Sequence, residues 1–106
     1  MPIVIVQGVF VVNPNEREEF LSQSGETMRS SRAEPGCLEY VMAADPLDPG
    51  RVILSERWAS SDDLDEHLRG VAARRKEAAA QGGGSGAAPL SAEITLYEVA
   101  SSRPLG

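Results

Sequence analysis

The chain opens its pattern with "IVIVQGVFVV", residues 3 to 12. β-Branched side chains dominate it, and such residues fit a pleated surface better than a helix, so the segment is predicted to be a strand. The pattern then turns polar at "NPNEREEF". Asn13 can cap a helix, Pro14 suits its first position, and Glu16, Glu18 and Glu19 favour the positive end of its dipole. The helix is expected to run to about Ala33 on a thin apolar stripe of Phe20, Leu21 and Met28, with Ser24 and Ser31 as small spacers. "EPG" at 34 to 36 stops it, because Pro35 disfavours helix at Glu34 and Gly36 permits an unusual turn.

"CLEYVMAAD", 37 to 45, and "RVILSERWA", 51 to 59, are predicted strands on either side of a Pro49-Gly50 turn. Ser60 then caps a second helix, with Asp63 three residues on. Leu64, Leu68, Val71 and Ala72 form its expected buried stripe, and Gly70 is a possible interruption. "QGGGSGAAP", 81 to 89, is flexible by composition, a slack connector or a lid. "LSAEITLYEVA", 90 to 100, is the last strand, and 101 to 106 form a tail. The whole of 1 to 106 is expected to be one α+β domain. Its order, β-α-β-β-α-β, is that of a ferredoxin-like fold with a four-stranded antiparallel sheet.

The first strand is apolar on both faces: Ile3, Ile5, Val9 and Val11 flank Gln7 on one, and Val4, Val6, Phe10 and Val12 flank Gly8 on the other. Two helices can cover only one face. The second needs a cover, and a second copy of the same sheet is the simplest one, so a homodimer through sheet faces is expected. Phe10→Asp is the substitution that this reading expects to break it.

Composition narrows the possible partners. The 106 residues are 42% hydrophobic and 25% charged, a globular profile, with a net charge of −6. That charge disfavours nucleic acid and anionic membranes. The apolar start lacks a basic n-region and is too short to span a bilayer, so a cytoplasmic protein is expected. One Cys and one His cannot build a Cys/His metal cluster, and no acidic loop has calcium spacing; no metal is expected. Cys37 reads as a packed strand residue rather than a nucleophile.

Candidate chemistry lies in "RVILSERWASSDDLDEHLRG", which holds the only Trp and the only His. Alternation puts Val52, Leu54, Glu56 and Trp58 on one face of the third strand. A carboxylate buried beside an indole would have a raised pKa and could act as a base; the alternative is a Glu56 paired with an arginine at the sheet edge. His67 follows Leu64 by three positions, on the sheet-facing side of its helix, as a base or as a hydrogen-bonded rim residue.

"EPGCLEYVM" followed by "VILSERWASSDDLDEHL" resembles the antibiotic-biosynthesis-monooxygenase-like family of dimeric α+β barrel proteins, over essentially the whole domain. His67, nine residues after Trp58, resembles the quinol-monooxygenase type. The resemblance implies paired sheets and a cavity between sheet and helices on the Trp58 face. It also implies oxidation of phenolic or hydroquinone substrates by O2 without flavin, metal or haem, so no cofactor is expected. Anthrone-oxidising members carry an Asn and a Tyr where this chain has Leu54 and Leu64. Haem-degrading members carry an Asn, a Trp and a haem-ligating His at positions matching Gln7, His67 and Glu77. The site implied here has His67, Glu56 and Trp58 as catalytic residues, with His67 or Glu56 the base and Trp58 a wall stacking on the substrate ring. Gln7, Tyr40, Leu54 and Leu64 would bind substrate. The expected function is a cofactor-independent monooxygenase acting with O2 on a quinol or polycyclic phenol. The alternatives are an isomerase-type enzyme on this fold and a non-catalytic small-molecule-binding or stress-related dimer.

Overall fold

The structure, a computed structural model, describes residues 2–82 and 87–106. Strand β1 (Val4–Val11) leads through a 3-10 turn (Pro14–Glu16) into helix α1 (Arg17–Arg32). Strands β2 (Cys37–Ala44) and β3 (Arg51–Trp58) form a hairpin, followed by helix α2 (Ser61–Ala80) and strand β4 (Ser91–Glu98). The strands form one sheet in the order β2-β3-β1-β4, with every neighbouring pair antiparallel. This is the ferredoxin-like α+β arrangement expected from the element order. The question of a lid over 81–89 falls largely on residues outside those described.

Local chemistry accounts for the element ends. Asn13 caps as expected, its Oδ1 accepting from the Asn15 amide at 3.0 Å, though what it starts is the 3-10 turn that Pro14 opens. Ser60 caps α2 by accepting from the Asp63 amide at 3.2 Å while its hydroxyl donates to the Asp63 carboxylate at 2.9 Å. Gly36 has φ +79, and a Cβ there would run into the Asp63 carboxyl, so only glycine fits. Its carbonyl accepts from the Ala59 amide at 2.8 Å, tying the turn after α1 to the end of β3. Gly70 does not interrupt α2, which runs unbroken through it. One glycine costs a helix about 1 kcal/mol, which its flanking residues can outweigh.

Strand register decides which residues share a face. Val6 lies opposite Glu56 and Leu96, and Tyr40 opposite Glu56. Directly opposed residues of antiparallel strands project to the same side. The helix side of the sheet therefore carries Val4, Val6, Gly8 and Phe10 with Val52, Leu54, Glu56 and Trp58. Trp58, Val4 and Val52 are fully buried there, joined by Tyr40, Met42, Phe20 and Leu64. Phe10 packs against Phe20 of α1 with ring centroids 5.4 Å apart. It belongs to the helix side, so Phe10→Asp is a core lesion and not the test of sheet pairing that the sequence suggested.

The other face carries Ile5, Gln7, Val9 and Val11 with Arg51, Ile53, Ser55 and Arg57, and no helix among the described residues lies over it. Strand β4 is exposed along its full length. Helix α2 also packs less than its stripe predicted. Leu64 is buried, but Leu68 is 52% exposed and Ala72 is exposed. Beyond its first turns the helix stands off the sheet, and the gap is the cavity described next.

Candidate active site

The site begins with two neighbours on one strand face. Glu56 and Trp58 project together from β3, and the indole Nε1 donates to Glu56 Oε1 at 2.9 Å. Both are buried. Glu56 thus has the tryptophan as its partner; Arg57, on the opposite face, pairs with Glu39 instead. Burial pushes the Glu56 carboxyl pKa upward, outweighing the indole hydrogen bond and the nearby His67, which lower it.

His67 enters from α2. It lies one helical turn after Leu64, so both residues face the sheet. It is 3% exposed, and its ring lies over Trp58 at a centroid distance of 4.7 Å and near Tyr40 at 5.5 Å. Its Nδ1 is 2.7 Å from Glu34 Oε2. That carboxylate comes from the turn after α1, held by the Cys37 amide donating to the Glu34 carbonyl at 3.2 Å and by the Gly36–Ala59 bond. A carboxylate can only accept, so Nδ1 carries the hydrogen, and Nε2 has no hydrogen-bond partner among the described residues. Glu34, His67, Trp58 and Glu56 form a compact polar group inside an otherwise apolar wall.

Two members of that group, His67 and Glu56, line a cavity of about 310 Å³, with Glu34 and Trp58 behind them. The sheet supplies Val6, Phe10, Tyr40, Leu54, Glu56, Ile94 and Leu96; α2 supplies Leu64, His67, Leu68, Val71 and Arg75. Ile94 of that lining packs closely over Gly8, where a Cβ would sit 2.7 Å from Ile94 Cγ1. Burial, reinforced by the charges of Glu56 and Glu34, pushes the Tyr40 phenol up to about 12, so it stays a neutral O–H donor. Burial, with the same two carboxylates, also raises the Cys37 thiol, away from the thiolate that nucleophilic chemistry needs.

The structure brings together His67, Glu56, Trp58, Tyr40, Leu54 and Leu64 from the residues singled out in the sequence. Gln7 is not among them. It pairs in register with Ser55 and Thr95 on the helix-free face and lines a separate cleft there. Alternation within β1 assigned Gln7 a face, but only the pairing of β1 with β3 says which face holds Glu56. Glu34, Arg75, Ile94 and Leu96 went unnoticed in the sequence. Glu34 read as a helix stop, although a lone buried histidine calls for a hydrogen-bond partner and the "EPG" segment held an unassigned carboxylate. Among the described residues no group of three or more His, Cys, Asp or Glu is placed to hold a metal ion.

Residues 3–78 match the family model of the antibiotic biosynthesis monooxygenases. The chain belongs to this family. The monooxygenase family match takes in the whole of the Glu34–His67–Trp58–Glu56 group. Among proteins of similar sequence, an uncharacterized protein of Synechocystis (sll1783) is 32% identical over 66 residues, which are 62% of this chain and 45% of that protein. The chain thus spans less than half of that relative. YcnE of Bacillus subtilis, a candidate monooxygenase, is 28% identical over 80 residues, or 71% of this chain and 84% of YcnE.

The fold is shared with a candidate antibiotic biosynthesis monooxygenase from Deinococcus radiodurans. That structure has a TM-score of 0.76 and 21% identity over 97% of this chain and 98% of its own. SnoaB of Streptomyces nogalater, a cofactor-independent oxygenase solved as a mutant, has a TM-score of 0.70 at 17% identity over 98% and 99% of the two chains. At these identities the likeness concerns the fold. No helix is long and apolar enough to cross a membrane, among the described residues.

Proposed function

We propose that this protein is a cofactor-independent monooxygenase that oxidises a quinol or polycyclic phenol with O2, using His67 as its base. The observation that carries this reading is the Glu34–His67 pair at the wall of the cavity: one imidazole nitrogen is fixed by a carboxylate, the other has no hydrogen-bond partner among the described residues, and the ring lines a mostly apolar chamber. Such a ring can remove a phenolic proton through Nε2, and the imidazolium so formed is stabilised by Glu34. The phenolate is electron-rich and gives one electron to O2. Recombination forms a carbon–oxygen bond, and loss of water from the hydroperoxide leaves a carbonyl. In sum, a phenol with a free para position and O2 yield a quinone and water, so the substrate supplies every electron.

Tyr40 lines the chamber as a flat wall for the ring, and its neutral phenol is a donor for the developing anion. Trp58, expected from the sequence to stack on the substrate, is instead fully buried outside the cavity lining, where it packs on His67 and holds Glu56. Glu56, held by the indole, sits across from His67 and is the second possible proton acceptor. The family membership and the SnoaB fold likeness support the oxygenase class. We also infer that the helix-free sheet face pairs with a second copy of the chain. The test is O2 uptake by metal-stripped protein with naphthols, hydroquinones and anthrones, read against autoxidation, with ¹⁸O2 labelling of the product. Uptake with one labelled oxygen per quinone, lost in His67→Ala, is the expected result. Turnover that survives His67→Ala, or that needs an added metal or flavin, overturns the reading.

A further inference from the structure

The cavity beside His67 does not end at Arg75. A second space of about 490 Å³, lined by Phe20, Met42 and Arg74 among others, shares Phe10, Tyr40, Val71 and Arg75 with the first. Together they make one cleft between the sheet and the two helices. Its two ends differ in chemistry. One holds His67 and Glu56; the other has the Phe10–Phe20 aromatic pair as floor and Arg74 and Arg75 above it.

These two arginines stand apart from those before them. From Arg17 to Arg69, every arginine is engaged: four with carboxylates, at Glu26, Asp45, Glu39 and Glu66, and two with backbone carbonyls. Arg74 and Arg75 have no hydrogen-bond or carboxylate partner among the described residues, in a chain with 16 acidic side chains. The remaining residues, Met1 and 83–86, contain no acidic side chain. An acidic protein has abundant carboxylates with which to neutralise surface arginines, and here it leaves two adjacent guanidinium groups over an aromatic floor. A guanidinium without a partner is suited to a carboxylate, which it can bind in a fork of two hydrogen bonds.

The geometry points to a substrate with an acidic group at the end opposite its reacting hydroxyl: a fused-ring phenol or quinol bearing a carboxylate, its hydroxyl at His67 and its carboxylate at Arg74 and Arg75. This deepens the oxygenase reading of the same site and rests on it for the identity of the hydroxyl end. The arginines act as specificity determinants. They bind and orient the ring, and an uncharged phenol has no use for them.

The test is calorimetric binding of 5-hydroxy-1-naphthoate and of its methyl ester, which place hydroxyl and carboxyl at opposite ends of one ring system. The wild-type protein is expected to bind the acid at least ~10-fold more tightly than the ester, with a preference that shrinks at high salt. Arg74→Ala combined with Arg75→Ala removes the preference and leaves ester affinity and melting temperature close to wild type, since both side chains are exposed. His67→Ala retains the preference. Equal binding of acid and ester, no binding of either, or a preference that survives in the double arginine variant overturns the inference. Binding preference and O2 uptake are separate readouts. A preference without turnover leaves the arginine end standing and removes the oxygenase reading; turnover of neutral phenols without preference does the reverse.

Discussion

The imidazole Nδ1 of His67 lies 2.7 Å from Glu34 Oε2, joining the second helix to the turn after the first across 33 positions of sequence. The contact fixes which ring nitrogen carries hydrogen and leaves the other free to accept. Glu34→Gln keeps the shape, but an amide can accept or donate, so the ring loses its single tautomer. The expected outcome is a fall in kcat of ~10-fold or more with KM little changed. His67→Ala is expected to lose about 10²- to 10⁴-fold, the usual worth of a positioned base. Steady-state O2 uptake separates the two. A Glu34→Gln enzyme at full kcat would remove the orienting role.

Glu56 gives a stability prediction with a definite sign. Burial raises its pKa in the folded protein above the ordinary 4.5. The folded state then holds the proton more tightly than the unfolded state. Stability from this group is greatest below about 4.5, falls as pH rises through the raised folded value, and is level beyond it. Glu56→Gln carries no charge and still accepts from Trp58 Nε1. It is expected to melt above wild type at pH 7, with the difference closing as the pH approaches 4.5. Melting curves across that range decide it; a Glu56→Gln protein that melts below wild type at pH 7 contradicts a buried, penalised carboxylate.

Much of this fold was legible from alternation and caps. The β-branched run at 3–12, Asn13, Ser60 and the turn at Pro49-Gly50 each act through local sterics or local hydrogen bonds, which a sequence carries on its face. The small spacers Ser24 and Ser31 are buried as their place on the α1 stripe implied. The site was half legible. Glu56 and Trp58 share a face by period two, whatever surrounds them. Glu34 meeting His67 is a tertiary event: it needs Gly36 seated against Asp63 and the turn docked on β3. Gln7 was misplaced because register between strands, unlike alternation within one, depends on the pairing partner. Leu68 was expected in the core because it lies on the apolar stripe, yet a cavity consumes the space that packing would have filled.

Two glycines contrast a close strand approach with an open helix position. A Cβ on Gly8 would meet Ile94 Cγ1 at 2.7 Å and the Glu93 carbonyl oxygen at 2.9 Å. The carbonyl is part of the neighbouring strand and cannot swing aside. Gly8→Ala is therefore expected to cost about 1–3 kcal/mol, the usual range for overpacking, and to displace Ile94. Gly25→Ala, at a half-buried position of α1 where the nearest atom is in the Arg29 guanidinium at 3.6 Å, should be neutral or slightly stabilising. Urea midpoints of the two variants measure the contrast. Equal midpoints would mean that β4 yields at this position.

The helix-free face supplies the last test. Ile5, Val9 and Ile53 lie together on it, and β4 beside them is exposed throughout. A sheet with one face on helices usually turns polar residues to water on the other. Here Gln7, Ser55 and Thr95 are interleaved with branched apolar side chains, the mixture of a surface that packs against a partner and keeps a few hydrogen bonds. Two copies meeting through this face would leave the His67 cavity untouched, since that lies on the opposite side of the sheet. Light scattering is expected to give about twice the 11.3 kDa chain mass. Ile53→Asp, which places a charge on this face without entering the helix-side core, should give a folded chain of single mass. Phe10→Asp should instead unfold the protein, because Phe10 packs on Phe20. A dimer that survives Ile53→Asp would mean that the copies meet elsewhere, with the exposed edge of β4 the next place to look.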